Sequence, residues 1–273
     1  MIAALVESPP GSSRPIIARW GDSLTQQGDD VRLSALTRAA VLNAGVGGET
    51  STTVAGRMGA LPITASVSRS PDPREYLISF VSPAGFRPLL QGSGTANSLL
   101  GGWLDGVPGM VFARDDGEGG YVFVADGDSP PPLAGHAAFM PYVHDAYLSG
   151  IGVLWVGRNN FRDVHTVIRD LSAMIARLKT DRFLVLTVLH GEDDHPLATT
   201  GQAITTLNAA ISTTWKDHVL DVDKELRRTY AASGEEASVV PARIRKDAVH
   251  LTAEGQRTVS ELIAAACRQR GWV

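Results

Sequence analysis

Cysteine is almost absent: Cys267 stands alone, so no disulfide can form within the chain. Its neighbours Leu262, Ile263 and Ala266 lie on one helical stripe, so Cys267 reads as a small buried hydrophobe rather than a reactive thiol. Long apolar runs are also missing. No stretch approaches the roughly 20 residues that a membrane span requires. Clustered positive charge is missing too. The formal net charge is -4, and the densest basic run is Arg243-Ile244-Arg245-Lys246. That distribution argues against nucleic acid and anionic membrane surfaces as partners. The apolar start, Met1 to Val6, is short for a signal sequence and carries no basic segment before it, so a cleaved signal peptide is not expected. This leaves localisation open between the cytoplasm and a virion or extracellular setting reached without a signal. No internal repeat is visible. What remains is 273 residues of ordinary globular composition, 44% hydrophobic and 20% charged, enough for one large domain or a domain with an insert.

The pattern along the chain is strand, helix, strand. Ile16 to Trp20 is an apolar run of strand length between Pro15 and Gly21, and it ends in Gly21-Asp22-Ser23. Leu33 to Ala40 has helical spacing, Val41 to Val46 reads as a second strand, and a helix opens near Thr50 and reaches Met58. After Gly59 helical periodicity disappears. Tyr76 to Val81, Gly109 to Arg114 and Gly120 to Val124 are β-type pieces, with turn clusters at Gln91-Gly92-Ser93-Gly94, Asp115-Asp116-Gly117 and Asp126-Gly127-Asp128. Residues 59–147 are therefore expected to form an inserted antiparallel β module, its last strand closed by Pro130-Pro131-Pro132. Trp103, Phe112, Tyr121 and Phe123 are expected to pack its core. From Ile151 onward strands and helices alternate again: strands at Ile151–Val156, Phe183–Leu189 and His218–Val222, helices at Val164–Leu178, Ala203–Trp215, from Lys224, and from Thr252 to Arg270. Strands apolar throughout and alternating with helices predict an α/β sandwich on a parallel sheet, built from residues 14–58 and 148–273.

In such a sheet ligands bind beyond the carboxyl ends of the strands. Four segments fall there: Ser23, Gly47-Gly48, Gly157-Arg158-Asn159-Asn160, and the loop Asp247-Ala248-Val249-His250 before the last helix. They supply a hydroxyl, backbone amides, a carboxamide, an imidazole and a carboxylate, the parts needed for acyl transfer through a covalent intermediate. Ser23 is the candidate nucleophile, His250 its base, and Asp247 the group that orients His250 from three residues away, on one helical turn. The Ser23 and Gly48 amides and the Asn159 side chain are candidate oxyanion donors. Ser23 also suits a helix N-cap, the alternative role for a hydroxyl after a strand. Asp22 reads as a hydrogen-bond acceptor in the turn. Arg158 and Asn160 read as loop scaffolding with a share in substrate binding. The run His190-Gly191-Glu192-Asp193-Asp194-His195 has carboxylates between histidines, but it lacks further ligands and reads as a solvated loop without a metal. His136, His144 and His165 have no visible partners. No cofactor is expected.

These segments resemble those of the SGNH (GDSL) hydrolases. Gly21-Asp22-Ser23-Leu24 looks like block I, Asn43 to Ser51 is similar to block II with its oxyanion glycine at Gly48, Gly157-Arg158-Asn159-Asn160 resembles block III, and Asp247-Ala248-Val249-His250 matches block V. Asn160 replaces the usual block III aspartate. The blocks follow the family order and cover roughly residues 14–58 and 150–270. The resemblance implies a three-layer α/β/α sandwich of the SGNH-hydrolase, flavodoxin-like kind, interrupted by the β module. It also implies a metal-free serine esterase with Ser23, Asp247 and His250 as triad and Ser23, Gly48 and Asn159 as oxyanion hole. The module is similar, more distantly, to those of esterases in phage tails and other carbohydrate-acting members. The β insert, the acidic polar surface and the lack of a long apolar groove-forming segment together favour O-acetyl groups on a carbohydrate as substrate. The alternatives are a lipase or thioesterase acting on longer acyl chains, an acyltransferase to a sugar hydroxyl, and a non-catalytic carbohydrate-binding or structural protein that kept the fold. Oligomeric state is left open.

Overall fold

The computed structural model describes residues 14–89, 100–114, 120–127, 133, 135–231 and 237–273. Five strands of these residues form a sheet in the order β11-β10-β9-β1-β2, every neighbouring pair parallel: β1 is Ile16–Gly21, β2 Ala40–Gly45, β9 Ile151–Trp155, β10 Phe183–Leu186 and β11 Val219–Leu220. Burial on both faces explains the near-continuous apolar runs. Side chains alternate between two cores. Ile17, Val153, Trp155 and Leu184 join one cluster with α2 (Asp30–Thr37), α7 (Val222–Thr229) and α8 (Ala253–Gln269). Ala18, Trp20, Leu154 and Val185 join the other with α3 (Ser51–Arg57), α5 (Val164–Arg177) and α6 (Thr199–Trp215). Cys267 is fully buried in the first cluster.

Several boundaries move. The helix expected to reach Ala40 stops at Thr37, where Arg38 turns left-handed at φ 56° and Ala40 begins β2. The strand expected over His218 to Val222 shrinks to Val219–Leu220, because Asp221 caps α7 by accepting from the Lys224 amide.

Between α3 and β9 the chain forms a closed antiparallel barrel in the order β3-β4-β7-β6-β5-β8. Its strands are β3 (Ile63–Arg69), β4 (Glu75–Ser82), β5 (Leu100–Leu104), β6 (Val107–Ala113), β7 (Tyr121–Ala125) and β8 (Gly135–Pro141). The proline run does not end the module. β8 follows it and closes the barrel by pairing with both β3 and β5. Pro130 to Pro132, the Asp115-Asp116-Gly117 turn and the Gln91 to Gly94 cluster lie outside the described residues. β6 and β7, on either side of that turn, do pair antiparallel. Phe123 and Phe139 fill the barrel where glycines leave room: a Cβ at Gly109 would lie 2.6 Å from Phe123 Cζ, and one at Gly102 would lie 2.8 Å from Phe139 Cζ. Tyr121 packs beside them. Phe112 and Trp103 do not join this core. Strand alternation turns both outward, leaving Phe112 44% exposed and Trp103 against the exposed Tyr142 at 5.8 Å between ring centroids.

Candidate active site

β1 delivers the site. Gly21 pairs with Gly45 on one side and Trp155 on the other, and a Cβ there would lie 2.2 Å from the Trp155 carbonyl oxygen. Only glycine lets the chain turn out of the sheet at this point. Asp22 then caps the short helix α1 (Ser23–Gln26), accepting from the Leu24 amide at 3.0 Å. The capping role is therefore taken by Asp22, and the Ser23 hydroxyl is left for other work.

That hydroxyl lies 2.8 Å from His250 Nε2. The opposite ring nitrogen, Nδ1, faces both carboxylate oxygens of Asp247, at 2.8 and 3.0 Å. A carboxylate only accepts, so the imidazole proton belongs on Nδ1 and Nε2 is the acceptor for Ser23. Residues 247–250 form no helical turn, contrary to the spacing argument. Asp247 Oδ1 instead accepts from the Val249 and His250 amides, at 2.9 and 2.8 Å, and this folds the loop back so that both side chains meet. The His250 amide, the Val249 amide and the His250 ring together hold the Asp247 carboxyl well below the usual carboxylate range. Ser23, His250 and Asp247 thus form a continuous path for moving a proton off a hydroxyl, with the His250 side chain 27% exposed to incoming ligand.

Gly48 and Asn159 stand on either side, at the ends of β2 and β9, both exposed. Gly48 has φ +82°, a conformation that favours glycine. Among the described residues the Ser23 and Gly48 amides have no acceptor, whereas the neighbouring Gly47 amide donates to Gln26 Oε1 at 2.9 Å. Asn159 Nδ2 donates one hydrogen to the Glu49 carbonyl at 2.9 Å, which fixes the carboxamide and leaves its second hydrogen available. Asn160 accepts from the Ser51 amide at 3.1 Å and donates to the Ser51 hydroxyl at 3.0 Å. Arg158 Nη2 pairs with Asp194 at 2.7 Å, its guanidinium lies over the Phe161 ring, and its buried Nη1 has no partner among the described residues.

Two groups depart from their sequence reading. The 190–195 run is solvated only in part: Glu192, Asp193 and His195 are exposed, whereas His190 and Asp194 are not. His190 is 4% and Asp194 2% exposed, since His190 Nδ1 meets Asp223 at 2.8 Å and Asp194 meets Arg158. The partners come from distant segments, so composition alone could not reveal the burial. His144 also has a partner, its Nδ1 accepting from the Ala146 amide at 3.2 Å. No group of three His, Cys, Asp or Glu among the described residues is placed to hold a metal ion. Sequence reasoning missed Glu49 as well. It is buried at 1% exposure and joins Arg57 Nε, at 2.6 Å, to the Leu89 amide, at 3.2 Å. Burial pushes its carboxyl up, against the pull of Arg57. Its only sequence signal was a carboxylate directly after the flexible Gly47-Gly48 pair.

No family model and no curated protein matches the chain. Solved structures do. A protein described as lipolytic, of the G-D-S-L family, from Desulfitobacterium hafniense aligns over 93% of this chain and 99% of its own at 12% identity, with a TM-score of 0.49. The catalytic domain of the Streptococcus pneumoniae peptidoglycan O-acetyltransferase A aligns over 96% of each chain at 12% identity, with a TM-score of 0.44. An assigned acylhydrolase of Bacteroides fragilis reaches a TM-score of 0.52 at 13% identity, over 96% of this chain and 91% of its own. The chain shares its fold with this acylhydrolase. Blocks I, II, III and V all meet at the carboxyl end of its parallel sheet, the position at which this type of sheet binds ligands. No described helix is long and apolar enough to cross a membrane.

Proposed function

We propose that the chain is a serine esterase of the SGNH type that works through an acyl-enzyme. The observation that carries the reading is the Ser23 Oγ to His250 Nε2 distance of 2.8 Å, with Asp247 on the far ring nitrogen. Ser23 Oγ attacks the ester carbonyl carbon while Nε2 takes the hydroxyl proton. The carbonyl oxygen becomes an oxyanion, held by the Ser23 and Gly48 amides and the second Asn159 Nδ2 hydrogen. The imidazolium, stabilised by ionised Asp247, then gives its proton to the leaving alkoxy oxygen as the C–O bond breaks. Water repeats the sequence on the acyl-enzyme, releasing the acid and restoring Ser23. Losing one oxyanion donor costs about 10²–10³ in turnover.

The fold reading extends to a three-layer α/β/α arrangement, supported by the two hydrophobic clusters that flank the sheet. It also divides the chain into a hydrolase domain, 14–58 and 148–273, interrupted at 59–147 by the barrel. For the substrate we favour O-acetyl groups on a carbohydrate. Support comes from aromatic residues outside the barrel core, the exposed Phe112 and the half-buried Trp103 beside the exposed Tyr142, of the kind on which sugar rings stack. The intact Ser23–His250–Asp247 path weighs against a non-catalytic protein. Ser23→Ala is expected to abolish p-nitrophenyl acetate hydrolysis and fluorophosphonate labelling while leaving the thermal transition in place. Hydrolysis surviving in that variant sinks the mechanism, and acetate release from acetylated polysaccharides tests the carrier.

A further inference from the structure

Among the described residues, the barrel reaches the site through the segment 83–89. Between β4 and β5 the chain leaves the barrel and runs along α3 towards Gly48. Phe86 lies against Gly56, where a Cβ would come within 2.3 Å of its ring. The Arg87 amide meets Thr53 Oγ1 at 3.2 Å, Tyr121 of β7 donates from its hydroxyl to the Pro88 carbonyl at 3.0 Å, and the Leu89 amide donates to buried Glu49 at 3.2 Å. Glu49 is itself clamped by Arg57, whose guanidinium also donates to the Ala44 carbonyl at 2.9 Å. Four successive residues, 86 to 89, are thus tied to α3, β7 or the block II loop. They end in an aliphatic side chain that is 38% exposed and whose Cδ1 lies 2.9 Å from the Cβ position of Gly48.

The side of the site that Leu89 occupies follows from strand order. His250 hands its proton to the leaving group, so the alcohol portion of an ester lies on the His250 side. The His250 loop is fastened to the segment after β10: the Glu192 amide donates to the Ala248 carbonyl at 2.8 Å, and Arg245 pairs with Glu192 at 3.0 Å. In the order β10-β9-β1-β2, Gly48 and Leu89 stand on the opposite side of Ser23 from that anchor. The acyl substituent, turned away from the leaving group, is directed there.

We infer that Leu89, carried by the barrel segment 83–89, forms the wall of the acyl subsite and limits the enzyme to short acyl groups. The inference rests on the esterase reading above and names its acyl specificity. A branched side chain on this tethered backbone, lying against Gly48, fills the space in which the third and later carbons of an acyl chain would lie. The barrel therefore controls the reaction through an apolar contact, independently of any binding on its outer face.

The test compares kcat/KM for p-nitrophenyl acetate, butyrate and octanoate in the parent protein, Leu89→Ala and Leu89→Phe, with Ser23→Ala as control. In Leu89→Ala the octanoate-to-acetate ratio is expected to rise about tenfold, what two newly buried methylenes supply. In Leu89→Phe the butyrate-to-acetate ratio is expected to fall. Unchanged ratios in both variants, with hydrolysis that disappears in Ser23→Ala, overturn the role of Leu89 and leave the triad standing. No hydrolysis by the parent, or hydrolysis that survives Ser23→Ala, overturns the reading of the site instead.

Discussion

Asn160 and Ser51 hold each other by two hydrogen bonds, the Ser51 amide donating to Asn160 Oδ1 and Asn160 Nδ2 donating to the Ser51 hydroxyl. This pair, with Asn159 on the Glu49 carbonyl, locks the loop after β9 to the loop after β2. It also gives a reason for an amide rather than a carboxylate at position 160. The Ser51 hydroxyl hydrogen is already committed, donated at 2.7 Å to Asp170, a fully buried carboxylate on α5 that takes a second hydrogen from Thr52. With its hydrogen spent, the Ser51 oxygen needs a donor, and Asn160 supplies one.

Asn160→Asp is therefore expected to destabilise the protein although the two side chains are nearly the same shape. The new carboxyl keeps the bond from the Ser51 amide but places a second acceptor against the Ser51 oxygen, close to Asp170. The loss should be about 1–3 kcal/mol at neutral pH, the usual cost of an unmatched buried polar group. It should shrink below about pH 4, where a protonated carboxyl can donate again. Urea unfolding at pH 8 and pH 4 measures both, and equal stability of parent and variant at pH 8 would refute the account.

Asp22 offers a pH signature. It is 1% exposed, and burial pushes its carboxyl up to about 7, against the Leu24 amide and the nearby Arg158 and His250 charges. In the unfolded chain the same group titrates near 3.8. Between these values the folded state keeps a proton that the unfolded state has released, so rising pH favours unfolding across this interval and its effect levels off above it. Asn at this position still caps α1 but does not titrate. Asp22→Asn is thus expected to gain stability over the parent progressively from about pH 4 to pH 7, by a few kcal/mol at most. Calorimetric transitions recorded for both proteins across that range decide the matter, and a constant gap between them rejects a protonated Asp22.

The residues with chemistry to perform were legible because each sits in a recognisable local sequence: after a strand, Ser23 behind Gly-Asp, Gly48 in a glycine pair and Asn159 behind Gly157, and, before the last helix, His250 three residues after Asp247. Their supports were not, because those are contacts made across the fold. Nothing in the sequence near Leu89 announces that its amide will reach Glu49, 40 positions away. The 190–195 run has the composition of a surface loop, and His190 and Asp194 within it are buried only because Asp223 and Arg158 arrive to neutralise them. Half of the barrel strands escaped notice for a related reason. β5 reads Leu-Gly-Gly-Trp-Leu, a turn-like composition, yet a glycine is what lets Phe139 fit inside a narrow barrel. The arginine in the middle of β1 was passed over as part of an apolar run.

That arginine yields the last expectation. Arg19 is 1% exposed on the face of β1 that carries Ile17, and its guanidinium meets the Asp30 carboxylate at the start of α2. Asp30 also accepts from Asn43 at 2.7 Å, which ties β1, α2 and β2 together beneath the block I turn. The two partners are unequal, since the Asp30 side chain is 30% exposed while that of Arg19 is sealed, its Nε without a partner among the described residues. Removing the carboxylate strands a positive charge in the core. Removing the arginine leaves a carboxylate that can turn to water. Asp30→Ala is accordingly expected to cost about 3–5 kcal/mol, the range for an uncompensated buried charge. Arg19→Met, which keeps the volume and the apolar stem, should cost less than half of that. Urea midpoints with unchanged slopes give the two values directly. Equal losses would mean that Arg19 is held by packing of its stem rather than by its charge, and that Asp30 serves α2 alone.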